Sequence, residues 1–240
     1  MKRALLISNS TLYGSGYLDH AEGEIVDFLS RARKIAFVPF AAYDRGRYAL
    51  QARERCERMG FELTSVHDVS NPRRCIQQSD AVFIGGGNTF RLLKGLYDSG
   101  LLEAIREAVE DGLPYIGSSA GAIVAGPSLR TTKDMPVVQP PSFDALGIVN
   151  FQISPHYLDP DPNSTHMGET QEERILQFLE ENDAPVVGLR EGAMVRVEGE
   201  SITLKGITGA RVFRQGIAPE EVKPVAELAG LLFEAAEAAR

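Results

Sequence analysis

The chain has 240 residues, 43% of them hydrophobic and 24% charged, with a formal net charge of -8. That is enough for a full core and ordinary for a soluble globular protein, and the acidic balance argues against nucleic acid or an anionic membrane as the main partner. No apolar run approaches the roughly 18 residues of a membrane span. Cys56 and Cys75 lack metal-type or redox spacing, so both read as reduced thiols of a cytoplasmic protein, with no metal or cofactor expected.

Residues 4–8 follow Met1-Lys2-Arg3 and read as a first strand, because the apolar run is too short for a signal peptide and has no small-residue cleavage site. Further strand patterns fall at 35–40, 62–66, 81–85, 113–117, 151–154 and 186–189, alternating with helical patterns at 18–32, 45–59, 72–77, 90–97, 102–111 and 171–181. In the 102–111 segment, Leu102, Ile105, Ala108 and Val109 fall on one helical face, with Glu103, Arg106, Glu107 and Glu110 opposite. The strands are continuously apolar, as strands covered on both faces are. The expectation is an α/β fold over residues 1–240, a single domain with a mostly parallel sheet and helices on both faces, its site outside the carboxyl ends of the strands.

Two regions depart from this alternation. Residues 127–150 form a long aperiodic stretch rich in Pro, Thr and Asp, the kind of loop that carries function and could close over a substrate. Residues 194–198, 201–204 and 210–213 read as a small antiparallel extension with turns at Glu198-Gly199-Glu200 and 206–209. The tail, 223–240, carries Val225, Leu228, Leu231, Leu232 and Ala235 at helical spacing, an amphipathic helix that docks on the body or on a second copy in a homodimer.

The stretch with the most chemical content is Gly117-Ser118-Ser119-Ala120-Gly121, between an apolar strand and a segment able to run on as a helix. A serine flanked two residues away by glycines matches the nucleophile elbow; the bland alternative is an ordinary β–α turn. A serine nucleophile needs a base, an orienting acid and oxyanion donors. Of the four histidines, His156 in Ile153-Ser154-Pro155-His156-Tyr157 follows a strand at its carboxyl end, whereas His20, His67 and His166 read as structural or surface side chains. For the acid, Glu191 ends the strand Val186-Val187-Gly188-Leu189, and Asp134 in the irregular loop is the alternative. A rigid strand end favours Glu191. The glycine cluster Ile84-Gly85-Gly86-Gly87-Asn88-Thr89-Phe90 fails as a dinucleotide fingerprint because Phe90 stands where glycine is needed, and no Gly-Lys-Ser/Thr follows. It fits better as the partner of the elbow, with the N–H groups of Gly87 and Ala120 forming an oxyanion hole. Asn88 and Thr89, which follow these glycines, are candidate substrate contacts.

Asn9-Ser10-Thr11, the two glycine motifs, Arg130-Thr131-Thr132-Lys133-Asp134-Met135-Pro136, Pro155-His156 and Gly168-Glu169-Thr170, in this order, resemble the peptidase E (α-aspartyl dipeptidase) family from about Lys2 to Phe213. The resemblance implies a flavodoxin-like fold of the glutamine amidotransferase type and a metal-independent serine dipeptidase. It matches Ser119 to the nucleophile, His156 to the base, Glu191 to the third member and Gly87 to an oxyanion donor. It also implies a small peptide substrate with an N-terminal aspartate read by an arginine. In this chain Gln171 stands at that arginine's place, and a neutral amide makes no bidentate ion pair with a carboxylate. Arg130 and Arg174 are the cations that could replace it. The same fold and elbow also accommodate a cyanophycinase-like hydrolase of aspartyl-linked polymers, or a non-catalytic binding protein.

Overall fold

The computed structural model describes residues 1–165 and 167–233. In chain order the elements are β1 (Arg3–Ile7), α1 (Glu22–Leu29), β2 (Lys34–Val38), α2 (Arg45–Arg58), β3 (Glu62–Ser65), α3 (Pro72–Gln77), β4 (Ala81–Ile84), α4 (Thr89–Asp98), α5 (Leu101–Glu110), β5 (Tyr115–Ser118) and α6 (Ala120–Val124). After them come β6 (Gln152–Pro155), α7 (Gln171–Glu181), β7 (Val186–Leu189), β8 (Ala193–Glu198), β9 (Ser201–Gly206), β10 (Ala210–Arg214), β11 (Ile217–Val222) and α8 (Ala229–Phe233).

Seven strands form a sheet in the order β3-β2-β4-β5-β1-β8-β9, its first five members parallel and β8 and β9 antiparallel. The continuous apolar runs work because successive side chains point to opposite faces and both faces are covered. Ala4, Leu6, Ala36, Val38, Val82 and Ile84 join the cluster under α4 and α5, with Leu92, Leu96, Leu101, Ile105 and Val109. Leu5, Ile7, Ile35, Phe37, Ala81 and Phe83 face the other way, onto Ile25 and Phe28 of α1 and Ala49, Ala52 and Cys56 of α2. Burial in that layer pushes the Cys56 thiol up to about 12, and both cysteines are free.

The expected sheet is corrected at its far end. β6 and β7 do not join the main sheet; they pair in parallel in a second sheet of order β11-β10-β7-β6. Beside β1 lies β8, which pairs antiparallel with it from Arg3↔Glu198 to Ile7↔Met194. The three late strands are therefore not one extension: two complete the first sheet, and β10 joins the second by pairing with β7. One face of this second sheet packs into the main core through Ile153, Val187 and Leu189. The other packs on α7, where Tyr157, Val186 and Phe213 meet Ile175 and Leu179.

The first helix begins later than its periodicity implies, because Leu18 is left-handed (φ 59°) and a 3-10 turn precedes α1. The tail also differs from expectation. Val225, Glu227 and Leu228 run along β9, with backbone bonds from Val225 N to Leu204 O and from Leu228 N to Ile202 O, and the helix starts only at Ala229. Leu228 and Leu232 are buried against the body, while Ala235 lies outside the described residues. Among the described residues no helix is long and apolar enough to cross a membrane.

Candidate active site

β5 ends at Ser118, and the chain reverses through Ser119 into α6. Ser119 sits at φ 51°, ψ -107°, a region L-residues rarely occupy and one typical of residues held in place for function. The elbow glycines are required by close approach, since neither has a positive φ. A Cβ on Gly121 would lie 2.2 Å from the carbonyl oxygen of Ile84, and one on Gly117 would lie 2.4 Å from that of Gly121. α6 is thereby pressed against β4 and β5, which sets its first N–H groups beside the serine.

The Ser119 hydroxyl is 3.0 Å from Nε2 of His156, and Nδ1 of His156 is 2.8 Å from Oε1 of Glu191. His156 follows β6 and Glu191 follows β7, both in the second sheet, so the three side chains meet across the seam between the two sheets. His156 is also left-handed, at φ 52°. The His156 ring and the Glu191 carboxylate are both partly exposed.

Two residues to which sequence reasoning gave no role in the site close this seam. Ser8, fully buried at the end of β1, donates its hydroxyl to Leu189 O (2.8 Å) and accepts from His156 N–H (2.9 Å). Asn9 accepts from Gly192 N–H (2.8 Å), fixing the turn that carries Glu191. Arg190 adds an ion-pair clamp, reaching Asp159 beyond β6 and Glu221 on β11. The one signal for Ser8 was its place as a polar residue at the carboxyl end of the first strand; Asn9 stood in the Asn9-Ser10-Thr11 motif without a role attached. Ser8→Ala leaves the His156 N–H without its acceptor, a loss of about 1–3 kcal/mol, while Leu189 O keeps the bond from Tyr157 N–H. It is expected to lower both the melting temperature and kcat, read by thermal unfolding and steady-state kinetics.

The glycine turn after β4 faces the serine. A Cβ on Gly86 would touch Ser119 Cβ at 3.1 Å, and Gly87, at φ 132°, would drive a Cβ into Ala41 O. Gly86 N–H is held by the Tyr48 hydroxyl (2.8 Å), and Asn88 N–H by Ala41 O (3.0 Å). Among the described residues the N–H groups of Gly87 and Ala120 have no hydrogen-bond partner. Asp134 is placed away from the imidazole contact that Glu191 makes: its Oδ2 accepts from Thr89 N–H (2.7 Å) and Thr89 Oγ1 (2.6 Å). Asn88 caps α4 by accepting from Arg91 N–H and donates to Met135 O. The 127–150 stretch is thus tied to the glycine turn, and also to β6 through Thr131, which donates to Ile153 O.

Ser119, His156, Gly86, Gly87 and Asp134 open into a cleft of about 680 Å³ that extends past Tyr48 to Asp44 and Arg47. Arg130 and Gln171 line a separate, smaller cavity, where the Gln171 amide oxygen accepts from Leu158 N–H. His67 is engaged by Ser65 and Asp68, and His20 is held below the usual histidine value by burial, against the pull of Asn9, Asp19 and Glu191. His166 lies outside the described residues. Among the described residues no group of three or more His, Cys, Asp or Glu side chains could hold a metal ion.

A serine, an imidazole and a carboxylate in hydrogen-bonded series on an α/β sheet define the serine hydrolase class of site. Residues 4–205 match the model of peptidase family S51, and the chain belongs to that family; it is a peptidase. It is 54% identical to "Peptidase E" of Streptomyces coelicolor over 228 residues, covering 95% of this chain and 94% of that protein. It is 45% identical to the "Probable alpha-aspartyl dipeptidase" of Drosophila melanogaster over 234 residues, covering 96% and 98%. Its fold matches the crystal structure of a peptidase from an acI-B1 Actinobacterium with a TM-score of 0.69 at 15% identity, covering 95% of this chain and 96% of that one.

Proposed function

We propose that the chain is a serine dipeptidase in which Ser119, His156 and Glu191 carry out acyl transfer on short peptides. Ser119 Oγ attacks the scissile carbonyl while His156 Nε2 takes its proton. The same nitrogen then protonates the departing amine, and Glu191 holds the ring through Nδ1. The N–H groups of Gly87 and Ala120 receive the oxyanion; one such donor is typically worth about 3 kcal/mol in the transition state. Water activated by His156 releases the acyl group. The name of the Drosophila melanogaster relative points to α-aspartyl dipeptides as substrates.

The observation that carries this reading is the unbroken series Ser119–His156–Glu191 at 3.0 and 2.8 Å, facing two unpaired N–H groups. The test is covalent labelling with a fluorophosphonate, mapped by peptide mass. A single adduct on Ser119, lost in His156→Ala, is expected. An unlabelled wild-type protein, or an adduct elsewhere, would overturn the assignment.

A further inference from the structure

The cleft that holds Ser119 and His156 runs on to a wall formed by α2. Asp44 at the N-cap, then Arg47, Tyr48 and Gln51, line it at the spacing of a single helical face. Tyr48 brings that face against the elbow, because its hydroxyl accepts from Gly86 N–H (2.8 Å) and Gly86 abuts Ser119. Arg47 is the one Lys or Arg among the described residues that line the cleft. Its backbone N–H donates to Asp44 Oδ1 (2.9 Å), but among the described residues its guanidinium has no hydrogen bond, ion pair or ring contact. Both carboxylates of the cleft are already in use, Asp44 as the cap of α2 and Asp134 on Thr89. The first turn of α2 holds no acid, and a cation there opposes the helix dipole. Arg45, in the same turn, lies over the Phe40 ring at 4.6 Å, whereas exposed Arg47 has no such structural contact.

His156 Nε2 gives its proton to the departing amine, so the residue that leaves lies in the cleft that this ring lines. In a dipeptide that residue ends in a free α-carboxylate, a short step from the amine nitrogen. A planar guanidinium meets a carboxylate through a pair of parallel N–H donors. We infer that Arg47 binds the α-carboxylate of the residue C-terminal to the scissile bond, so that the cleft selects peptides whose chain ends with that residue. This rests on the dipeptidase reading above and extends it to the leaving end of the substrate. The contact is made in the bound substrate and in the transition state alike, so its loss falls on KM more than on kcat.

Two measurements test the assignment. In the first, kcat and KM for Asp-Leu are compared with those for its C-terminal carboxamide in wild type, Arg47→Met and Arg47→Glu. Both substitutions fall at an exposed first-turn position, where an acid suits the helix dipole better than the native cation, so neither threatens the fold. A charge-assisted contact corresponds to about tenfold or more in affinity. The wild type is expected to favour the free acid by about tenfold or more in kcat/KM, mainly through KM. That ratio is expected near one in Arg47→Met and below one in Arg47→Glu. A wild-type ratio near one, or a preference that survives in Arg47→Met, would overturn the proposal and leave the dipeptidase reading standing, since the same bond is still cut. In the second, the probe is the analogue of Asp-Leu with its scissile carbonyl reduced to a methylene, beside the C-terminal carboxamide of that analogue. Calorimetry measures both on Ser119→Ala with and without Arg47→Met. Preference for the acid lost with Arg47 supports the contact even if no dipeptide is turned over; equal affinity of acid and amide, or a preference that both proteins share, counts against it.

Discussion

Ser119→Ala is expected to lower kcat on susceptible dipeptides by about 10⁴–10⁶-fold, because loss of the nucleophile removes the function of the whole hydrogen-bonded series. Thermal unfolding should stay close to that of the wild type. The hydroxyl bonds only to the His156 ring, and the strained backbone is held by other groups. Ser119 N–H bonds to Ile7 O, and Ser119 O accepts from Ala122 and Ile123. Residual hydrolysis in the variant would come from the oxyanion donors and binding alone. Near-normal kcat would remove the serine from the mechanism.

Gly121→Ala should be nearly as damaging, by a different route. The added methyl would sit 2.2 Å from the Ile84 carbonyl oxygen, a backbone atom inside β4 that cannot rotate away. Overpacking of this kind costs about 1–3 kcal/mol or more, which for a chain of this size is roughly 2–12 °C in melting temperature. Catalysis should suffer beyond that loss. Relief of the clash moves α6 away from β4, which parts the Ala120 N–H from Gly87 and tilts Ser119 off the imidazole. The same substitution at Gly23, inside α1 with nothing within 4 Å of the added Cβ, should instead raise stability by about 0.5–1 kcal/mol. Parallel melts and kcat values for the two variants separate the close-approach requirement from a general intolerance of the chain.

Much of this was legible in the chain, and the exceptions have physical causes. β7, α3 and α7 fall where their patterns place them, because strong local signals (Asn71 with Pro72, Thr170 with Glu173) cap the helices. The elbow glycines were legible as a motif, but their reason was not: for Gly121 the constraint is a carbonyl contributed by β4, more than thirty positions away in the chain, and for Gly117 it is the Gly121 carbonyl, not a local φ in either case. Sheet membership was misjudged for β6 and β7 because a continuous apolar run says that both faces are covered without saying which sheet covers them. The decisive pairing, β8 on β1, joins residues nearly 200 apart. β11 was missed since Ile-Ala-Pro-Glu-Glu-Val offers an edge strand little alternation and a proline.

The site shows the same division. Ser119, His156, Glu191, Gly87 and Ala120 were each visible from strand-end position or motif. The joining roles of Ser8, Asn9 and Tyr48 were not, because a polar side chain that acts by joining two segments looks like any other loop residue until both segments are in place. Tyr48 is such a case: it lies on α2 yet fixes Gly86, and burial raises its phenol above the ordinary value.

The central claim is that the carboxylate on the imidazole is Glu191, with Asp134 serving to hold Thr89 and the glycine turn. Steady-state kcat for Glu191→Gln and Asp134→Asn on one dipeptide tests it most directly. Replacing a triad carboxylate by its amide cost about 10⁴-fold in a well-studied serine protease, and the partly exposed Glu191 should lie at or below that figure. Glu191→Gln is therefore expected to lower kcat by about 10²–10⁴-fold, with the smaller loss in Asp134→Asn falling mainly on KM. Wild-type kcat in Glu191→Gln together with an inactive, folded Asp134→Asn would contradict the account.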